Sequence, residues 1–135
     1  MPKVPKVHKV PKVHKVMENK EFARELEKRT KKFAIMVLRL SSQLPGTAEG
    51  RIIRNQFAKA GTSVGANYRE ANRARSKADF GSRIRICESE SSESVYWLEI
   101  IEEMNWLSPD KTEPVLKEAN ELLAIFSSTA KTLKL

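Results

Sequence analysis

The sequence predicts an all-α fold, an antiparallel up-down-up-down four-helix bundle. Apolar residues recur at three- and four-residue steps along four stretches of roughly 26 residues, each about 40 Å long as a helix. Breakers are scarce there: of six prolines, three lie in the first eleven residues, and the others fall at or near the junctions between stretches. The length of 135 residues suits one domain, and 40% hydrophobic with 31% charged residues suits helices that each bury one stripe.

The first helix is expected from about Glu18 to Gln43. Phe22, Leu26, Phe33, Val37, Leu40 and Leu44 make its stripe, and Arg24, Glu25, Lys28, Lys31 and Lys32 its charged face. Leu44-Pro45-Gly46 stops it. The second runs from about Ala48 to Ala74 with Thr47 as N-cap. Its stripe is Ile53, Phe57, Ala60, Val64, Asn67 or Tyr68, and Ala71. Gly61 and Gly65 share one face, and each costs about 1 kcal/mol against alanine in an exposed helix. Such a cost is tolerable where another backbone approaches closely.

The third helix is expected from about Lys77 to Trp106. Ser76 with Asp79 three places on resembles a capping box. Phe80, Ile84, Cys87, Ser91, Val95, Leu98 and Ile101 form the stripe. Its middle, Glu88 to Ser94, is unusually polar for a bundle helix. Serine permits tight helix contacts, but a buried carboxylate there would need a partner. The fourth helix starts at Pro109 or Glu113 and runs to about Lys134, with proline in its first turn either way. Val115 or Leu116, Ala119, Leu122, Leu123, Phe126, Ala130 and Leu133 supply its stripe.

Residues 1–16 stand apart as a basic x-Lys-Val repeat: PKV, PKV, HKV, PKV, HKV. Their prolines forbid a continuous helix, so a polyproline-like or disordered tail outside the fold is expected, with residues 17–135 as the bundle domain. A functional basic arm is the rival reading. His8 and His14 lie on this tail with no carboxylate or thiol and make a poor metal site.

The tail also skews the charge. The chain is +8, but five tail lysines account for much of it, leaving 20 basic against 17 acidic residues in the body. Whole-chain basicity therefore overstates the case for a polyanion partner. Cys87 is the only cysteine, so no internal disulfide forms, and it reads as a small buried apolar residue. The longest apolar run, Phe33 to Leu38, is six residues, well short of the ~20 a membrane helix needs. No secretory signal is visible, so no membrane and a cytoplasmic location are expected.

Enzymatic chemistry is not expected. The body has no histidine, which removes Glu-x-x-His di-iron pairs and His-dependent triads. No phosphate-cradling glycine loop is present. Glu88, Glu90 and Glu93 read as a solvated or salt-bridged face rather than paired catalytic carboxylates. No catalytic residue, metal site or cofactor is assigned.

The residues Phe33-Ala34, Leu44-Pro45, the run from Ala60 to Ala71, Ser76, Asp79-Phe80, Glu93 and Tyr96-Trp97-Leu98-Glu99 carry a resemblance. The chain resembles the bacterial four-helix-bundle family named for proteins encoded in intervening sequences of 23S ribosomal RNA genes. The resemblance covers about residues 20–130. It implies a bundle that assembles as a ring-shaped homopentamer. The accessory protein of diversity-generating retroelements is similar in fold, and it binds a reverse transcriptase and nucleic acid through a basic pentameric barrel. The repeat tail and the serine-dense Glu88–Ser94 stretch depart from the family pattern.

The favoured function is a non-enzymatic oligomer that binds nucleic acid, RNA more than DNA, through a repeated basic surface. Arg69, Arg73, Arg75 and Lys77 cluster around the turn between the second and third helices. Arg83 and Arg85 follow, and Arg51, Arg54 and Lys59 lie on the second helix. Arginine pairs bidentately with phosphate. The bland alternative is a solvated face paired with Glu49, Glu70 and Glu90. No aromatic residues interleave with the arginines, so base reading on a single strand is not expected. The rival function is a scaffold or accessory subunit that docks a protein such as a reverse transcriptase. Ile35, Met36, Leu38, Ile52, Ile86, Trp97 and Ile100 lie off the main stripes and suggest self-association or docking. Asn67, Glu70 and Glu93 are expected as structural polar groups between helices, with Arg83 or a serine as partner of the first two. Tyr96 and Trp97 are expected at a packing or subunit interface.

Overall fold

The computed structural model describes residues 12–135, with side chains from Asn19 onward. Its elements are α1 (Lys12–Ser41), α2 (Ala48–Ala71), α3 (Lys77–Glu103) and α4 (Pro109–Thr132). The described residues form four helices and no strand.

α1 begins earlier than the expected Glu18. The last proline of the repeat is Pro11, and no residue from Lys12 to Leu44 lacks a backbone donor, so nothing in that stretch blocks an α-helix. The expected tail boundary at residue 16 is therefore corrected at the backbone level for Lys12 to Val16. The rest of the tail lies outside the described residues, and so do the side chains of His8 and His14.

The caps follow the expected chemistry. Thr47 Oγ1 accepts the Gly50 N–H at 3.1 Å, and Ser76 Oγ accepts the Asp79 N–H at 3.0 Å. α2 stops at Ala71 rather than Ala74, because the Arg73 and Ala74 N–H groups close three-residue turns onto Glu70 and Ala71. α3 stops at Glu103 rather than Trp106. Asn105 turns left-handed at φ 55, its N–H bonds the Glu102 carbonyl, and Trp106 N–H bonds the Ile101 carbonyl at 3.4 Å. This is a Schellman end, and asparagine tolerates the left-handed position. α4 starts at Pro109 and ends the same way, with Lys134 at φ 59 and Leu135 N–H on the Ala130 carbonyl.

The core runs through Phe33 and Val37 of α1, Phe57 and Val64 of α2, Ile84, Cys87, Leu98 and Ile101 of α3, and Leu122, Ile125 and Phe126 of α4. α1 packs on α2, α2 on α3 and α3 on α4, whereas α1 meets α4 over fewer positions. Side chains tie that fourth seam: Arg29 grips Glu118 through two bonds of 2.7 and 2.8 Å and also bonds Glu121.

Small residues set the close seams. A Cβ on Gly61 would lie 2.6 Å from both methyls of Val37, and one on Gly65 would lie 3.1 Å from Thr30 Oγ1. Both glycines thus admit α1. On α3 the buried polar residues are Ser91 and Ser94, while Glu88, Glu90 and Glu93 stay partly exposed. Ser94 Oγ donates back to the Glu90 carbonyl at 2.8 Å. The polar middle of α3 is therefore buried as hydroxyls, and no buried carboxylate layer forms.

Gly61→Ala should destabilise the fold by about 1–3 kcal/mol, since Val37 is branched, buried and unable to retreat. That outweighs the ~1 kcal/mol alanine gains in helix propensity. Gly46→Ala, which meets no atom within 4 Å, serves as the control. Urea unfolding checks both, and a Gly61→Ala protein as stable as the parent would refute the close-approach account.

Candidate nucleic-acid interface

The connection between α2 and α3 is short and well tied. The Asn72 N–H caps Tyr68, and its side-chain amide donates to Glu27 Oε2 at 2.8 Å, fixing the turn to α1. Ser76 opens α3. This link presents Arg73, Arg75 and Lys77 to solvent, with Arg69 one turn earlier on α2. Among the described residues Arg73, Arg75 and Lys77 form no ion pair. Arg69 lies 3.9 Å from Glu27, an exposed contact worth little. The four cations make one patch at one end of the bundle.

The remaining nominated cations do not join it. Arg51 and Arg54 sit in the first two turns of α2, and Arg51 is about 27 Å along the helix from Arg69. Lys59 is exposed farther along α2 and lies in the field of Glu90. Arg83 is half-buried and donates to Asn67 Oδ1 at 3.2 Å, while the Asn67 amide donates to the Ser63 carbonyl at 2.9 Å. Arg83 thus serves the α2–α3 seam. Arg85 stands 3.6 Å from Glu88 on its own helix. The acids within ion-pair distance of nominated cations are Glu27 and Glu88, while Glu90 acts on Lys59 through its field alone.

Glu70 needs a further correction. It is exposed, because at 100° per residue it stands about 140° from the centre of the buried stripe of α2. It does not join Asn67 between helices. Glu93 accepts the Trp97 indole N–H at 3.1 Å along α3. Tyr96 is 55% exposed and meets Trp97 edge to face at 5.1 Å.

Beside the patch the bundle end holds a cavity of about 370 Å³. Phe22 and Leu26 of α1, Tyr68 of α2, Phe80 of α3, Thr129 of α4 and Leu133, which caps α4, are among its walls. Aromatic residues therefore do gather beside the arginines. They come from three helices, so no local run announced them. The available signal was positional: Phe22 and Phe80 are the first apolar residues of their stripes, and Phe80 lies in the first turn of α3.

Cys87 is buried, and its thiol meets the Val64 carbonyl at 3.5 Å. Among the described residues no three His, Cys, Asp or Glu side chains gather as a metal-holding group. No described helix is long and apolar enough to cross a membrane.

A family model described as 23S rRNA-intervening sequence protein matches residues 23–128. No curated protein matches the chain. Among solved structures, the chain is similar to a crystal structure of a protein with unknown function from the S23 ribosomal protein family of Bacteroides thetaiotaomicron. The two are 28% identical, with a TM-score of 0.74 over 81% of this chain and 97% of that chain.

Burial pushes the Cys87 thiol and the Tyr68 phenol each up to about 12. In the unfolded chain they ionise near roughly 8.5 and 10. Between about pH 9 and 12 the folded state thus binds more protons, and stability falls as pH rises. The slope approaches ~1.4 kcal/mol per pH unit for each group. Urea unfolding across about pH 8 to 11 should show the parent losing stability faster than a Cys87→Ala, Tyr68→Phe variant. Parallel curves would show that burial does not hold these groups protonated.

Proposed function

The chain belongs to the 23S rRNA-intervening sequence protein family, and on that premise we propose that it is a non-enzymatic, self-associating RNA-binding protein. The observation that carries the proposal is the solvent-facing group of Arg73, Arg75 and Lys77, unpaired among the described residues, with Arg69 beside it. Cations that form no ion pair are available to phosphate oxygens. A family named for sequences within ribosomal RNA genes favours RNA over DNA as the polyanion.

Self-association rests on α3. Ile86, Tyr96, Trp97, Ile100 and Met104 fall within an arc of about 100° opposite the inner stripe. Tyr96 and Met104 are at least half exposed, and Ile86 is 38% exposed. α3 thus offers an apolar face outward as well as inward. The proposed assembly is a ring-shaped homopentamer of antiparallel up-down-up-down bundles. Two helix pairs support that order: Glu27 meets Asn72 and Val37 faces Gly61 across α1 and α2, and Glu102 meets Thr112 across the α3–α4 turn. A ring repeats the patch, so weak individual sites add as avidity. No catalytic role is assigned, and the location proposed is cytoplasmic.

The second reading, docking of a protein such as a reverse transcriptase, draws on Ile35 and Leu38 of α1, which are 41% and 49% exposed. Pull-down from the native host with and without nuclease separates the two. Partner recovery that survives nuclease favours docking.

Changing Arg69, Arg73 and Arg75 together to Glu should lower RNA affinity by at least ~100-fold and flatten its salt dependence by roughly one unit per lost phosphate contact. Unchanged affinity would defeat the RNA reading. Tyr96→Asp with Trp97→Asp should give monomers in light scattering with the fold retained by circular dichroism. An unaltered particle mass would remove α3 from the interface.

A further inference from the structure

Binding phosphate uses only the rim of the α2–α3 end and leaves the adjoining cavity unexplained. Asn72 and Phe80 line that cavity and flank the link that carries Arg73, Arg75 and Lys77. Its volume, about 370 Å³, falls at the lower end of the usual range for small-molecule sites. Phe22, Tyr68 and Phe80 supply aromatic surface, and Asn19, Asn72 and Thr129 supply amide and hydroxyl groups. Glu27 Oε2 accepts the Asn72 amide N–H at 2.8 Å. Such walls suit a flat heteroaromatic ring that stacks and also hydrogen-bonds. They suit an acyl chain less well, since it would leave the remaining acceptor capacity of the amides unused. The acids beside the rim are Glu27, engaged with Asn72 and close to Arg69, and Glu70 and Asp79, which are exposed.

We infer that this cavity receives one unstacked nucleobase of a bound RNA strand, while Arg73, Arg75 and Lys77 hold the phosphates on either side. The inference rests on the RNA-binding reading above. It deepens that reading by assigning the cations and the cavity to a single nucleotide site. The patch supplies a salt-dependent attraction blind to bases, and the cavity supplies a salt-independent preference for a strand that carries them.

The test is fluorescence anisotropy on the full chain with two labelled probes. One is a mixed-sequence single-stranded RNA of about twelve nucleotides, and the other an abasic ribose-phosphate strand of the same length. The base-bearing strand should bind about tenfold more tightly, the scale of one base–aromatic stack, with the same salt slope for both. Ala23→Phe, which fills the cavity, and Phe80→Ala, which removes a wall, should each bring the ratio toward one and leave the salt slope intact. Melting curves check that both variants fold, and the parent's ratio decides if they do not. Equal binding of the two strands by the parent, with a normal salt slope, overturns the inference and leaves the patch standing. Failure of both strands to bind overturns the patch and the inference together. Equal strand binding with saturable uptake of a fluorescent fatty acid, lost in Ala23→Phe, overturns the inference and assigns the cavity to an acyl chain.

Discussion

The close approach of α1 and α2 constrains the rest of the bundle. Gly61 and Gly65 lower the surface of α2 so that Val37 and Thr30 of α1 settle onto its backbone. Thr30 is fully buried there, and its hydroxyl donates to the Leu26 carbonyl at 2.9 Å, so a polar group enters the seam with its bond already made. The contact also sets the rotation of α1. Neighbouring residues on a helix point about 100° apart. With Thr30 aimed at α2, Arg29 is turned toward α4, where Glu118 and Glu121 receive it. Truncating Arg29 would leave two partly shielded carboxylates facing each other, so the glycine seam and the ion cluster support one arrangement from opposite sides.

Small side chains play the same part on α3, with serine in place of glycine. Ser91 and Ser94 are buried between neighbouring helices, and Cys87 comes near enough to bond the Val64 carbonyl. Besides the Ile84, Leu98 and Ile101 that it buries, α3 carries Ile86 and Tyr96 outward, with Met104 just past its end. Charge is distributed by related logic. Glu27 is drawn to Asn72, Glu88 to Arg85, and Glu118 with Glu121 to Arg29. With these acids engaged elsewhere, the α2–α3 link keeps its positive charge.

Features that depend on neighbours along one helix were legible in the sequence. The four stripes, the Thr47 and Ser76 caps, and the shared face of Gly61 and Gly65 all rest on spacing within one segment. Asn67 was legible for the same reason, since its seam position admitted Arg83. Helix ends were less so: α2 and α3 each stopped three residues early, in tight closing turns whose hydrogen bonds no apolar period encodes. Glu70 failed because a three-residue step from Asn67 moves it around the helix and out of the seam. The nine nominated cations looked like one surface because they are near in sequence. The α2 axis separates Arg51 from Arg69 by about 27 Å, and Asn67 takes Arg83. The cavity was invisible because its walls come from all four helices.

The bundle end that holds the cavity carries a local conformational cost. Lys134 occupies the left-handed region, which costs a residue that carries a Cβ roughly 1–2 kcal/mol. The turn it makes bonds Leu135 N–H to the Ala130 carbonyl and lays the Leu135 side chain over Gly81 at the start of α3. A Cβ on Gly81 would lie 2.9 Å from Leu135 Cδ2, the movable tip of that side chain. Leu135 nevertheless stays 46% exposed, so its burial offsets only part of that cost. The same turn leaves Leu133 as a wall of the cavity rather than a plug within it. An end built only for stability would direct an apolar side chain into that space. The geometry instead keeps the space open beside the most basic link of the described chain.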